Sequence, residues 1–228
     1  MNVTMDSRSR RALAALAVVA AAIGIGVRTQ DVAVGGPPDL PPISADARAA
    51  GLRFATGVAE RDRAWILDSI ARARPEARAL IGEVDGMIEV STHRGDPLGV
   101  TESVVSARGA RFTIALDVAS LDGKRVADRD VVVLHEVGHA VDAAMVDKAL
   151  DERLDAGIPR TGQCVVYEEG LSGSCTEPAE RFADTFAKWA LRGRVSAVGA
   201  GYGVAGPPSL ETWGAPLAAL ANEVSVRS

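Results

Sequence analysis

Two cysteines in 228 residues are too few for a disulfide-dense scaffold or a cysteine-rich zinc module. Aromatic residues reach only 4 %, and there are three histidines, so imidazole chemistry is confined to few positions. There is no excess of positive charge. The formal net charge is −5 with 24 % charged residues, which excludes a polybasic nucleic-acid binder and an acidic disordered tail. No internal repeat is present, and no low-complexity block beyond one short linker. What the chain does have is a 47 % apolar fraction, enough to build one domain core.

The N-terminus reads as a targeting segment. Arg8, Arg10 and Arg11 precede an uncharged apolar run over residues 12–27. A basic flank before such a run, with sparse charge after it (Arg28, Asp31), fits export and places the rest of the chain outside the cytoplasm. The run is shorter than the about 20 residues of a usual spanning helix. No clean cleavage site follows it, so a cleaved signal peptide and a retained membrane anchor are both open. Ser9-Arg10-Arg11-Ala12-Leu13 is loosely similar to a twin-arginine signal. The alternative is a buried apolar helix of the globular part. The organisation is therefore a signal peptide or anchor over 1–30, a Pro/Gly-rich linker over 31–43 and one domain over 44–228. Gly35-Gly36-Pro37-Pro38-Asp39-Leu40-Pro41-Pro42 cannot hold a helix and favours extended backbone.

Within the domain, residues 59–73 read as an amphipathic helix with Trp65, Ile66 and Ile70 on its apolar side, and 76–81 as its resumption after Pro75. Residues 87–91 and 112–118 read as short strands joined by a Gly/Ser/Arg-rich connection. Asp128 or Asp130 can cap a helix running to about Leu154. Pro178 suits the first turn of another helix ending near Gly193, and Pro216 the first turn of a short last one over 217–224.

The chemistry concentrates on two of these helices. Residues 135–139 spell His-Glu-x-x-His. Residues four apart share a helix face, so His135 and His139 can reach one metal ion. Glu136, one residue on, falls beside the open position of such an ion, where a water can be deprotonated. Imidazoles with a hard oxygen ligand and an exchangeable water suit zinc. The apolar β-branched run before His135 and the small residues around His139 suit a buried helix. A chance match on five letters is the competing reading, but two of the three histidines lie inside it.

A catalytic zinc needs a third protein ligand. Six residues after His139 stands Met145, so the three-histidine pattern fails there. His93, at the end of a predicted strand, is read as a surface histidine. The third ligand is then a carboxylate on another element, and the 178–193 helix offers Glu177, Glu180 and Asp184 on one side. Phe182, Phe186, Trp189 and Ala190 form its apolar stripe. Glu180 has Asp184 one turn later, where a carboxylate can orient a ligating imidazole; Glu177 has Arg181 there. Glu180 is the expected ligand and Asp184 its outer partner. A solvated acidic face is the alternative.

His135-Glu136-x-Gly138-His139-Ala140-Val141-Asp142, followed by Glu180-x-Phe182-Ala183-Asp184-x-Phe186, resembles the gluzincin metallopeptidases. It is most similar to the catalytic domain of anthrax lethal factor and its relatives, and the Glu-x-x-x-Asp spacing also resembles thermolysin. The resemblance covers two helices of the chain. It implies Zn2+ held by His135, His139 and Glu180, with Glu136 as general base acting on a zinc-bound water. It also implies an α+β zincin fold, in which the edge strand of a small twisted sheet lies over the active-site helix and accepts an extended peptide. The chain departs from the family at the oxyanion-binding tyrosine that lethal-factor-like domains carry shortly before the third ligand. Seven residues before Glu180 stands Gly173. Tyr202, flanked by glycines, and Tyr167 are the two candidates. Cys164 and Cys175 bracket the loop before the Glu180 helix, and export makes a disulfide the simplest reading. Free thiols or a cysteine ligand are the alternatives.

The expectation is an exported or membrane-anchored zinc metallopeptidase acting on peptide or protein substrates. It binds no nucleic acid and meets the membrane only through its N-terminal segment. The rival reading is a catalytically inactive zincin-fold binding module of the cell envelope.

Overall fold

The computed structural model describes residues 51–95, 97–106, 109–121, 129–160, 165–167, 170–172, 176–195 and 204–227. The N-terminal segment, the linker, both cysteines and Tyr202 lie outside the described residues. Among the described residues no helix is long and apolar enough to cross a membrane.

The architecture of the described residues is α+β: a four-stranded mixed sheet, six α-helices and a two-stranded hairpin. In chain order these are β1 (Arg53–Phe54), α1 (Glu60–Ala71), α2 (Pro75–Val84), β2 (Ile88–His93), β3 (Gly99–Ser106), β4 (Gly109–Asp117), α3 (Arg129–Met145), α4 (Lys148–Ala156), β5 (Val165–Tyr167), β6 (Gly170–Ser172), α5 (Pro178–Ala190) and α6 (Leu210–Arg227). The main sheet runs β1-β2-β4-β3. β1, β2 and β4 are parallel, and β3 pairs antiparallel with β4 at the edge. One face is apolar: Ile88 and Val90 of β2 lie beside Phe112, Ile114 and Leu116 of β4, all buried. The opposite face carries Glu89, Arg111 and Thr113 in solvent. Burial on one side only selects this strict alternation.

Several elements differ from the sequence reading, each for a local reason. The connection between the two expected strands is itself a strand, β3. Its inward positions are Gly99, Thr101 and Ser103, while Val104 points out and is 66 % exposed. That inverts the usual alternation, so the segment reads as a loop. The helix expected to reach Leu154 is two helices. α3 ends at Met145, and Asp147 caps α4 by accepting from the Leu150 amide at 2.8 Å. Asp130 lies inside the first turn of α3, where its carboxylate accepts from Ser69 of α1 and from Arg72 just after that helix; Asp128 lies outside the described residues. Pro216 lies well inside α6, which starts six residues earlier, where Ser209 accepts from the Thr212 amide. The stretch before α5 contains the β5-β6 hairpin.

The helical layer packs around α3 and α5, which share the most extensive helix-helix contact. The chain's last helix, α6, packs on α2. Arg74 fastens this closure. Its guanidinium binds both carboxylate oxygens of Glu211 at 2.9 and 2.8 Å and stacks 4.7 Å from the Trp189 ring centre. A planar fork on a carboxylate with an aromatic beneath it is a geometry lysine does not reproduce.

Candidate metal centre

α3 is buried along almost its whole length because Val131, Val132, Val133 and Leu134 lead it into the core. His135, Glu136 and His139 are carried in with it, at 5, 2 and 2 % exposure. Ionisable groups buried this deeply need partners. The two imidazoles lie on one helix face with their ring planes 85° apart, and their Nε2 atoms are 3.2 Å from each other.

α5 supplies the third group. Glu180 Oε2 lies 3.0 Å from His135 Nε2 and 3.5 Å from His139 Nε2. The carboxylate reaches the imidazoles because α5 approaches α3 closely at Gly138. A Cβ built there would stand 3.2 Å from Phe186 Cδ1 and 3.3 Å from Ala183 Cα. Three ligand atoms bonded at about 2.0–2.1 Å to a tetrahedral ion lie about 3.3–3.4 Å apart. The observed edges of 3.0, 3.2 and 3.5 Å bracket that value, so this buried His-His-Glu group can hold a metal ion.

The electrostatics suit a cation. Burial alone would raise the Glu180 carboxyl, but hydrogen bonds from His135 and His139 and their charge outweigh it and hold it down at about 2. Burial pulls the His135 imidazole down. The hydrogen bond to Glu180 and the negative charges of Glu136, Glu180 and Asp184 outweigh this, and its pKa is raised. Glu180 is therefore ionised over the whole physiological range, as a cation ligand must be.

Glu136, whose charge acts on His135, lies under β3. Thr101 Oγ1 is 2.7 Å from Glu136 Oε2 and 3.0 Å from the Glu136 main-chain oxygen. The carboxylate is the nearer acceptor and the stronger one. Two residues before Thr101 on the same strand face is Gly99, where a Cβ would stand 2.5 Å from Glu136 Oε1. β3 thus lies directly over the middle of α3.

Of the remaining expected residues, Asp184 is fully buried one turn after Glu180. Its Oδ2 accepts from Lys188 Nζ, which also donates to the Val204 carbonyl, while its Oδ1 has no hydrogen-bond partner. Its charge reaches His135, but its hydrogen bond goes to Lys188 rather than to an imidazole. Burial raises the Asp184 carboxyl, against the pull of Lys188. Glu177 is exposed, as the residue preceding α5, and stands apart from the cluster. His93 closes β2, half-buried, and is not part of the triangle. Tyr167 ends β5 with its side chain outside the described residues. Tyr202, Cys164 and Cys175 lie outside them altogether.

The sequence reading missed Gly99 and Thr101. Their signal was present as small residues at alternate positions, Gly99, Thr101 and Ser103, which mark a strand face pressed on another element. In comparisons with family models, curated proteins and solved structures, the chain matches none.

Proposed function

We propose that the protein is a zinc-dependent metallopeptidase of the zincin type, acting outside the cytoplasm on peptide or protein substrates. The observation that carries this reading is the convergence of His135, His139 and Glu180 from two helices, with Glu136 one residue on from His135 and its charge acting on that imidazole. His135, His139 and Glu180 would hold the zinc. Bound there, zinc would polarise the scissile carbonyl and lower the pKa of a water toward about 7.

The chain's own groups supply the rest. Glu136 takes the proton of the attacking water and delivers it to the leaving amine. β3 is the edge of the main sheet and carries no further strand among the described residues. Its outer N–H and C=O groups can pair with an extended peptide and lay it across the site. Burial of Glu136 and both histidines keeps bulk water out and strengthens each charge interaction.

The test is Glu136→Gln in the full-length chain, assayed on a broad peptide library with zinc quantified in parallel. The expected result is retained zinc with hydrolysis down by about 10²–10⁴. A Glu136→Gln protein that cleaves as well as the wild type would end the assignment of Glu136 as base.

A further inference from the structure

We infer that Gly99 and Thr101 of β3 are positioning residues that together hold Glu136, one fixing a carboxylate oxygen and the other keeping space for its twin. The inference deepens the peptidase reading and rests on it.

A glutamate side chain has three rotatable bonds, and a base that must meet one proton cannot sample them freely. Glu136 is held from outside its own helix. The restraint comes from β3, through two devices on successive inward positions. Thr101, 1 % exposed, has a single hydroxyl proton; its Oγ1 lies 2.7 Å from Oε2, nearer than the main-chain oxygen of Glu136 at 3.0 Å, and donates to the carboxylate. Oε2 is thereby occupied, and Oε1 is left for proton transfer. Oε1 lies where the side chain of residue 99 would be. With any residue larger than glycine, its Cβ would stand 2.5 Å from Oε1 and 2.8 Å from both Cδ and Cγ of Glu136. The obstruction meets the movable end of Glu136, not backbone. An alanine at 99 is therefore accommodated by displacing the carboxylate rather than by unfolding the strand. β3 pairs with β4 through Gly99↔Leu116 and Thr101↔Ile114, so both devices are fixed by sheet register and do not depend on a loop.

The experiment uses the full-length chain, zinc-loaded, as Thr101→Val, Thr101→Ser and Gly99→Ala. All three are expected to keep about one zinc per chain. Thr101→Val and Gly99→Ala should lower kcat by about 10²-fold with KM within about two-fold, since an ångström of misplacement costs that much. Thr101→Ser restores the hydroxyl and should recover most of the lost kcat. A readout without turnover accompanies these. Thr101→Val should lower the melting temperature by about 2–4 °C in the wild-type background, where Oε2 loses its buried donor. In a Glu136→Ala background only the main-chain oxygen of residue 136 remains as acceptor, so the same substitution should lower it by clearly less than in the wild-type background. Wild-type kcat in both Thr101→Val and Gly99→Ala overturns the inference. So does an equal melting shift in the two backgrounds. Should the wild type bind zinc and cleave nothing, the peptidase reading fails while the melting comparison still decides whether Thr101 holds Glu136.

Discussion

Glu180→Ala should abolish stoichiometric metal binding while Glu177→Ala leaves it intact. Both residues belong to the same acidic stretch, three positions apart, and either carboxylate fits the bare sequence motif. The structure separates them. Glu180 closes a triangle with edges of 3.0, 3.2 and 3.5 Å, while Glu177 is exposed before the first turn of α5. Removing Glu180 leaves two imidazoles, one ligand short of the set that holds a catalytic zinc. The size of the effect follows from linkage. With free zinc at about 100 times its dissociation constant, binding to the folded chain alone adds about 2.7 kcal/mol. At about 2–4 °C per kcal/mol for a domain of this size, a chelator should lower the wild-type melting temperature by roughly 5–11 °C. The assay is metal content per chain together with melting curves, with and without chelator, for the three proteins. Glu177→Ala should follow the wild type, and Glu180→Ala should be insensitive to chelator. A folded Glu180→Ala protein that keeps about one zinc per chain would refute the triangle as the binding site, as would a folded wild type that takes up no metal.

Three further outcomes are expected. Because the His135 pKa is raised above 6.5, protons compete with metal from above that pH downward, so zinc occupancy at fixed total zinc should fall as pH drops from 8 to 6; equilibrium dialysis across this range checks it. Asp142 is pushed up to about 8 by burial and by the charge of Asp151. Its neutral form is the favoured one, so the stability it contributes is full below 3.8 and lost as pH rises through about 8. Asp142→Asn should raise the melting temperature at pH 9 by several degrees more than at pH 5, and equal shifts at both would refute this. Gly214→Ala should destabilise by about 1–3 kcal/mol or more, because its Cβ would stand 2.0 Å from Trp189 Nε1 in a fully buried ring; denaturant unfolding measures it.

The parts of the site legible from residues alone were those that obey a helical period. His135 and His139 repeat at the spacing of one turn, with Glu136 one residue on, and Glu180 with Asp184 does the same on α5, beside a stripe of Phe182, Phe186 and Trp189 that is buried throughout. β3 was illegible for a reason tied to its role. A strand that faces a carboxylate carries Gly99 and Thr101 inward and leaves Val104 in solvent, so its pattern opposes the rule used to find strands. The break between α3 and α4 was hidden because residues on both sides are good helix formers, and only Asp147 marks the restart. α6 began earlier than Pro216 suggested, since one proline in a packed helix forgoes a single main-chain bond that burial against α2 offsets. The closure of the fold by Arg74 and Glu211, 137 positions apart, has no local signature at all.

The close approach at Gly138 makes the candidate metal centre a gauge of the gap between two helices. One hydrogen atom in place of a methyl sets how near Ala183 and Phe186 come to α3, and the same distance sets whether Glu180 meets the imidazoles. Ligand affinity and helix packing are then two readings of one equilibrium. Anything that widens the gap, such as a larger residue at 138, would register first as metal released into solution, before secondary structure changes. Conversely, a bound ion would hold the two helices at this spacing, so the empty and filled proteins should differ most in how readily the amides of α3 and α5 exchange with solvent.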